Sequence, residues 1–560
     1  DFATYYAESA RQLDRARSVF TPHQVTVVAP PWNFPVAIPT GGVLSALAAG
    51  SAVIIKPAPQ VVACSQVMVD AVHRGLAAHG IDEDLVQLVR ADEADAGQRL
   101  ISHEDVDHVI LTGASETAAL FRSWRPEMEL SAETSGKNAI IVTPAADPDL
   151  AVADIYQSAF GHSGQKCSAS SLVILVGQAG DSHRLLSQLV DAVSTLRVGP
   201  DTDISTTMNG VIEPPGDKLK RGLTRLDGEE TWLLEPKQLD EDGLFWSPGI
   251  RDHVAPGSWF HTNECFGPVM GIMHASSLEE ATEWQNSTGY GLTGGLHSLD
   301  QDEIDWWIDH VEVGNAYVNR GITGAIVQRQ SFGGWKNSVI GAGAKAGGPN
   351  YVPQQGTWTE GTLDHAQQQL TPDVAGLLRD WAGLVSEEDL GWLRAAAELD
   401  ALAWREEFGA EHDLTALRSE ANIFRYRPLL QPLRVRVGSG AVLRDVLRLQ
   451  LAALRTGTAV DISGDVEAAA DLSRAGVHAR TISDEAFAAE VKGYEGARIR
   501  ALGSVDDALW AAAVESGSVI LDQPVLADGR RELLPFLLEQ ALSVTMHRFG
   551  VLGTTGIDRP

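Results

Sequence analysis

Short, unbroken apolar runs separated by helical stretches constrain this chain more than any other feature of its sequence. Val25 to Ala29 is apolar and β-branched, and Ala52 to Ile55 repeats the pattern after the small-residue helix Gly42 to Ala49. Helix Ser65 to His79, strand Leu85 to Val89 and strand His108 to Leu111 continue the alternation. Strands that read as buried on both faces, joined through helices, predict an α/β fold with a mainly parallel sheet. Ligands of such sheets bind at the carboxyl ends of the strands. Lys56 stands at one such end, and Pro30-Pro31-Trp32-Asn33-Phe34-Pro35 and Thr112-Gly113-Ala114-Ser115 break the chain after two others.

The chain divides by composition. A first unit spans 1–130 and a second 131–332. Residues 333–358 are rich in glycine and read as an extended arm rather than a core. A further α/β domain, 372–560, opens with a helical stretch from Val374 to Trp404 and continues through strand Leu433 to Val437, helix Leu443 to Leu454 and strand Ala459 to Ile462. Leu44 to Lys56 and Leu451 to Ser463 share an order: small apolar helix, glycine turn, buried strand. Val109 to Ser115 and Ile499 to Val505 also match, which makes a faint internal repeat. Any two helix–glycine–strand units share that outline. If the repeat is real, the second copy has lost the chemistry, because Ser463 stands where Lys56 does.

The formal net charge of -32 argues against nucleic acid or an anionic membrane as partner. The three cysteines, Cys64, Cys167 and Cys265, are far apart and suggest no disulfide framework, so a reducing, cytoplasmic compartment is expected. No apolar run is long enough to span a bilayer. No metal site is read from the sequence. The chain opens at Asp1 inside a predicted helix, Phe2 to Ser18, without an initiator methionine, and is expected to be part of something longer.

Five places carry candidate chemistry. Cys167 lies in Gly161-His162-Ser163-Gly164-Gln165-Lys166-Cys167-Ser168, a glycine-rich turn between a helix and a strand, where backbone N–H groups can face the sulfur. That setting suits a nucleophilic thiolate, although a small buried hydrophobe is the plainer role for a cysteine. Asn33 can donate to an oxyanion or cap the helix that follows it. Glu133, beside Gly136, can activate water or lie on the surface. Lys56 reads as a ligand contact or a solvated lysine. Glu264-Cys265-Phe266-Gly267-Pro268 sets an acid and an aromatic before a Gly-Pro turn.

In this order and spacing, Pro31-Trp32-Asn33-Phe34-Pro35, Lys56-Pro57, Thr112-Gly113, Glu133-Thr134-Ser135-Gly136-Lys137-Asn138, Gly164-Gln165-Lys166-Cys167 and Glu264 to Pro268 resemble the aldehyde dehydrogenase superfamily. Tyr317 to Val327, Gln330 to Trp335 and Gly347 to Tyr351, with Gln165 to Ser168, resemble its L-glutamate-γ-semialdehyde (Δ1-pyrroline-5-carboxylate) dehydrogenases. The tail resembles the C-terminal domain of the bifunctional proline utilisation A proteins at Arg425 to Pro428, Gln523 to Val525, Gly529 to Leu534 and Thr545 to Gly550.

The resemblance implies a Rossmann-like NAD-binding domain without the usual glycine fingerprint, an α/β catalytic domain, an oligomerisation arm and a C-terminal non-catalytic aldehyde-dehydrogenase-like domain. It implies NAD-dependent oxidation of L-glutamate γ-semialdehyde through a cysteine thiohemiacetal and thioester, in proline catabolism. Cys167 would be the nucleophile, Asn33 with the Cys167 N–H the oxyanion donors, and Glu133 the base. Trp32, Lys56, Thr112, Gly113, Ala114, Glu264 and Phe266 would contact NAD. Lys166, Ser168, Gly324 and Ala325 would contact the substrate. Pro59 stands where the family often has a glutamate on the ribose, which bears on NAD against NADP. A homodimer or higher oligomer is implied, as is an upstream proline dehydrogenase domain, which would bring FAD. The alternatives are a dehydrogenase for another aldehyde, such as succinate semialdehyde, and a non-catalytic assembly scaffold.

Overall fold

A computed structural model describes residues 1–92, 94–363, 366–548 and 551–552. The chain forms two compact units. One comprises 1–132, 340–411 and 425–539, and the other 133–339, 412–424 and the residues from 540 onward. Among the described residues no helix is long and apolar enough to cross a membrane.

The first unit contains two sheets, the first with a parallel core of four strands, His108–Thr112, Val25–Ala29, Ala52–Ile55 and Val86–Leu88. In the first sheet the strand order is Val339–Ile340, Glu129–Glu133, His108–Thr112, Val25–Ala29, Ala52–Ile55 and Val86–Leu88. Val27 lies opposite Ile54 on one side and Val109 on the other, both in parallel register. The predicted strands are therefore present, and the apolar runs explain them: Val27, Val28, Val53, Ile55 and Val109 are all buried. Helix Ala37–Ala49 begins earlier than its small-residue pattern suggests, because Pro39 sits in its first turn, where a missing N–H costs nothing. The second sheet has the order Arg480–Thr481, Val460–Gly464, Leu433–Val437, Arg498–Leu502 and Val519–Leu521, parallel throughout.

The second unit is built on nine strands in the order Glu420–Pro428, Leu537–Thr545, Asn315–Val318, Thr293–His297, Asn138–Val142, Ser170–Val176, Val269–Ala275, Gly249–Asp252 and Thr231–Leu234. Its centre is parallel, and both edges run antiparallel to their neighbours: Thr231–Leu234 against Gly249–Asp252, and Glu420–Pro428 against Leu537–Thr545, where the Met546 N–H donates to the Ser419 carbonyl and the Leu429 N–H to the Phe536 carbonyl. Apolar cores cover both faces, one around Phe260 and Trp307 and the other around Phe160 and Tyr317.

Four expectations need correction. The first helix ends at Arg11, and Val19–Pro22 pairs with Gly356–Thr359 instead of continuing it. The helical stretch from Val374 is two helices, Pro372–Asp380 and Glu387–Ala403, parted at Gly383 (φ +89°) and restarted by the Ser386 hydroxyl, which accepts from the Asp389 N–H. Residues 333–358 are not an extended arm. Trp335, Tyr351, Val352 and Gln355 are buried, the Gly347 N–H donates to the Tyr6 hydroxyl at 2.9 Å, and Asn350 donates to Glu539 at 2.7 Å. The aromatic and amide side chains of that stretch supply a core that its glycine content conceals. Finally, 372–560 does not stand as one separate domain. Most of it joins the first unit, and 412–424 with the residues from 540 onward join the second.

Candidate active site

Helix Pro148–Phe160 starts cleanly, with the Asp147 carboxylate accepting from the Asp149 and Leu150 N–H groups and Pro148 at its first position. It stops at Gly161. His162 (φ +60°), Ser163 (φ +56°) and Gly164 (φ +67°) then run left-handed in succession. Side chains seldom tolerate that conformation, and here contacts hold it. The Ser163 hydroxyl donates to the Asn209 carbonyl at 2.5 Å, and the Gln165 side chain accepts from the Ile212 N–H at 3.0 Å. A Cβ at Gly164 would fall 2.2 Å from the Gly267 carbonyl oxygen, so this position admits only glycine. The reversal delivers Cys167 to the amino end of strand Ser170–Val176, half-buried.

The turn is anchored by a residue that the sequence reading left without a role. The Asn138 amide donates to the Cys167 carbonyl at 2.7 Å and to the Ala169 carbonyl at 3.0 Å, while its oxygen accepts from the Thr293 N–H at 3.0 Å. These three hydrogen bonds tie the Cys167 and Ala169 carbonyls to the Thr293 backbone. Only the position of Asn138 within the family-like run Glu133 to Asn138 could have signalled it.

The electrostatics of the sulfur differ from the expectation of a ready thiolate. Burial, the Glu133 carboxylate and the Glu264 carboxylate together push the Cys167 thiol up to about 12. The N–H groups of Ser168 and of Cys167 itself pull the other way without prevailing. Cys167, Glu133 and Glu264 therefore gather in one place, and the resting sulfur carries its proton at neutral pH. Glu264 also accepts from the Gly136 N–H at 3.2 Å. Lys166 is half-buried, and burial lowers its ammonium pKa, with Cys167 opposing that shift. Lys137, two residues past Ser135, is fully buried over the Phe260 ring at 4.1 Å, and desolvation takes it down to about 8. Cys265 is buried with a raised thiol, which leaves it an inert core residue.

The loop Arg320 to Ala325 is held from several sides. The Tyr317 hydroxyl donates to the Gly324 carbonyl at 2.5 Å, and the Ile322 N–H donates to the Ser158 hydroxyl at 3.1 Å. Tyr317, whose phenol burial raises well above its ordinary value, also feels the Cys167 charge, so this loop belongs with the nucleophile. Arg320 pairs with Glu420 at 2.9 Å and donates to the Ser543 hydroxyl at 2.6 Å. Gln330 donates to Glu420 and Asn422, both at 2.7 Å. Tail residues thus buttress the loop from within the second unit, a contact no local pattern announces. Ser168 is buried, and Ala325 is exposed.

The other candidates lie in the first unit. Asn33 is buried in the bend after strand Val25–Ala29, with Trp32 half-buried beside it. Lys56 follows strand Ala52–Ile55, and Thr112-Gly113-Ala114 closes strand His108–Thr112 at the start of helix Ser115–Trp124. These three strands are adjacent and parallel, so all six residues share the carboxyl edge of one sheet, where the connection from Val25–Ala29 goes to one side and His108–Thr112 lies on the other. A cation, a helix N-terminus and strand-end amides suit a dinucleotide's phosphates and ribose. A cavity of about 280 Å³ lies elsewhere in this unit, lined by residues such as Arg122, Trp358 and Arg498 and by none of the candidates.

Residues 1–355 match the aldehyde dehydrogenase family. The chain is 32% identical over 372 residues to a 1-pyrroline-5-carboxylate dehydrogenase of Bacillus licheniformis, covering 63% of this chain and 70% of that one. A 1-pyrroline-5-carboxylate dehydrogenase from Thermus, solved with bound NAD, is 31% identical with a TM-score of 0.59, over 64% of this chain and 72% of that one. Proline utilization A from Corynebacterium freiburgense is 57% identical with a TM-score of 0.87. That match covers 98% of this chain but 53% of that one, so the chain spans about half the length of that protein.

Proposed function

The chain belongs to the aldehyde dehydrogenase family, has its α/β fold, and from that premise we propose that it oxidises L-glutamate γ-semialdehyde to L-glutamate with NAD, in proline catabolism. The observation that carries the reading is the gathering of Cys167, Glu133 and the Tyr317-anchored loop in one unit. The Cys167 thiol loses its proton to a carboxylate as it attacks. Glu133, the largest electrostatic influence on the sulfur after burial, is suited to take it. The new S–C bond makes a tetrahedral thiohemiacetal, whose oxyanion is met by the Cys167 N–H and the Asn33 amide. A tetrahedral centre bearing an oxyanion can release hydride, which a planar aldehyde cannot. NAD, when bound, supplies the acceptor for that hydride. The resulting thioester is hydrolysed by water that Glu133 deprotonates, and the thiol is restored.

By the family resemblance, Trp32, Lys56, Thr112, Gly113, Ala114, Glu264 and Phe266 are the residues that would contact the dinucleotide. Lys166, Ser168 and the Gly324-Ala325 backbone would meet the substrate carboxylate, which needs cationic or N–H donors. With Pro59 in place of a ribose-binding acid, the preference for NAD over NADP rests on the remaining contacts. An upstream proline dehydrogenase domain with FAD, a homodimeric or larger assembly and a cytoplasmic location belong to the same reading, supported by the likeness to proline utilization A.

Cys167→Ser is the test. NADH formation from pyrroline-5-carboxylate should fall at least ~10³-fold while the chain stays folded. Retained activity would overturn the reading. Equal activity on succinate semialdehyde would move the substrate assignment without touching the mechanism.

A further inference from the structure

At the far end of the catalytic sheet two histidines and an aspartate converge where the oxidation chemistry uses none of them. Asp252 closes strand Gly249–Asp252, His253 follows it, and His274 lies on the parallel neighbour Val269–Ala275. One ligand atom from each residue lies within 4.8 Å of the other two. The Asp252 carboxylate is buried, with one oxygen 2.7 Å from His274 Nε2 and the other 3.7 Å from His253 Nε2. The two imidazole rings face each other at 5.0 Å and 30°. We propose that Asp252, His253 and His274 form a binding site for a divalent transition metal of the zinc class.

The donor set selects the ion. Two imidazoles and one carboxylate suit Zn²⁺, Co²⁺ or Ni²⁺, whereas Mg²⁺ and Ca²⁺ require oxygen ligands. Tetrahedral coordination with bonds near 2.0–2.1 Å sets ligand atoms about 3.3 Å apart. The observed separations, 2.7 Å from His274 to one Asp252 oxygen and 3.7 Å from His253 to the other, lie on either side of that value, and ring rotation brings the three ligand atoms onto one ion. Water takes the fourth position, since His253 is exposed and leaves an open approach. The outer contacts are also in place. The His253 N–H donates to Asp252 Oδ1 at 2.9 Å and orients the carboxylate. A Cβ at Gly180 would come 2.8 Å from His274 Nδ1, so that glycine makes room for the ring. Without an ion the cluster is a His–Asp pair with a second histidine turned onto it.

The site is remote from catalysis. Glu264 to Phe266 and Cys167 precede their strands, and His274 stands near the end of a seven-residue strand, about 20 Å along. Its ion would tie together the carboxyl ends of two adjacent strands, a stabilising role independent of the dehydrogenase reading.

The experiment is Co²⁺ titration of the chelator-stripped full chain, followed by absorption spectroscopy and calorimetry. One ion per chain is expected, with ligand-field bands of nitrogen and oxygen coordination and no thiolate charge-transfer band. His253→Ala, which truncates an exposed side chain, and His274→Ala should each weaken binding ~10–100-fold, with dehydrogenase kcat unchanged. Zn²⁺ should raise the melting temperature of the wild type, reversibly with chelator, and not that of His253→Ala. Thiolate bands, wild-type affinity in His253→Ala, or no Co²⁺ bound at millimolar concentration would each overturn the proposal.

Discussion

The two sheets of the first unit have the same wiring across four parallel strands and opposite chemistry. In one, His108–Thr112, Val25–Ala29, Ala52–Ile55 and Val86–Leu88 are neighbours in that order. In the other, Arg498–Leu502, Leu433–Val437, Val460–Gly464 and Arg480–Thr481 repeat it. Helices Ala37–Ala49 and Leu443–Thr456 connect the matching strands, and each ends on a left-handed glycine, Gly50 (φ +106°) and Gly457 (φ +74°). The internal repeat that the sequence shows faintly is therefore matched in topology. The polar groups are not. The first sheet presents Asn33, Lys56 and Thr112 to Ala114 at its carboxyl edge. In the second, Ser463 is buried and bonds back to the Val435 carbonyl at 3.4 Å. Its charged side chains pair with one another instead: Arg434 with Asp461, Asp461 with Arg480, and Arg436 with Asp484. These ion pairs take up the charges of the second sheet's own strands. The two copies thus share a scaffold and differ in the polar groups they carry on it.

Four substitutions would break or sharpen that contrast. The largest effect is expected from Arg448→Ala, on the helix of the second sheet. Its guanidinium forms a bidentate bond with Asp400 at 2.6 and 2.9 Å, and both groups are fully buried. Losing it should cost about 3–5 kcal/mol in urea denaturation, with kcat of the folded fraction unchanged. Burial already pushes the Asp400 carboxyl up to about 6 against 3.8 in the open chain. Arg448 opposes that rise, so in the variant the carboxyl moves higher still; the folded variant takes up its proton first, and its deficit should shrink as pH falls toward about 6 and level off below it, where the wild type takes up the same proton. A kinetic defect instead would mean that the second sheet is not merely structural.

Asn33→Ala attacks the first sheet. Loss of an oxyanion donor should lower kcat ~10²–10³-fold with little change in the KM for NAD. An unchanged kcat would remove Asn33 from the oxyanion role, and the following helix has no need of it as a cap, since its N-cap is Val36. Lys56→Ala should raise the KM for NAD ~10-fold and spare kcat, because it removes one charge-assisted contact of about 1.5 kcal/mol. Ser463→Ala, at the matching position of the second sheet, should change neither constant and alter stability by less than ~1 kcal/mol. Parity between the Lys56 and Ser463 variants in NAD titration would end the comparison.

The strands around Val27, Ile54, Val109 and Ile140, and the catalytic turn with its glycine at 164, were legible because their signals are local. An apolar run that buries both faces, or a residue forced left-handed, leaves its mark within a few positions. Residues 333–358 misled for the same reason: glycine-rich composition reads as extension, and only the partners of Asn350 and Gly347, as far away as Glu539 and Tyr6, make the stretch a core. The turn of Cys167 by itself leaves a nucleophilic thiolate and a small buried hydrophobe both open. The raised value of its thiol depends on burial and on two carboxylates 34 and 97 positions away in the chain, Glu133 and Glu264.

By itself, then, the sequence determined the alternation of strands and helices and the family, and it proposed Cys167, Glu133 and Asn33 as nucleophile, base and oxyanion donor, since each of these is written in a short run of residues. The tertiary structure alone decided what those residues feel and what else they sit beside. It set the protonated resting sulfur, the Asn138 clamp on its backbone, the Glu420 and Ser543 contacts on Arg320, and the meeting of Asp252 and His253 with His274. Electrostatic shifts and ligand clusters sum over neighbours in space, and strand register, which no local periodicity encodes, chooses those neighbours.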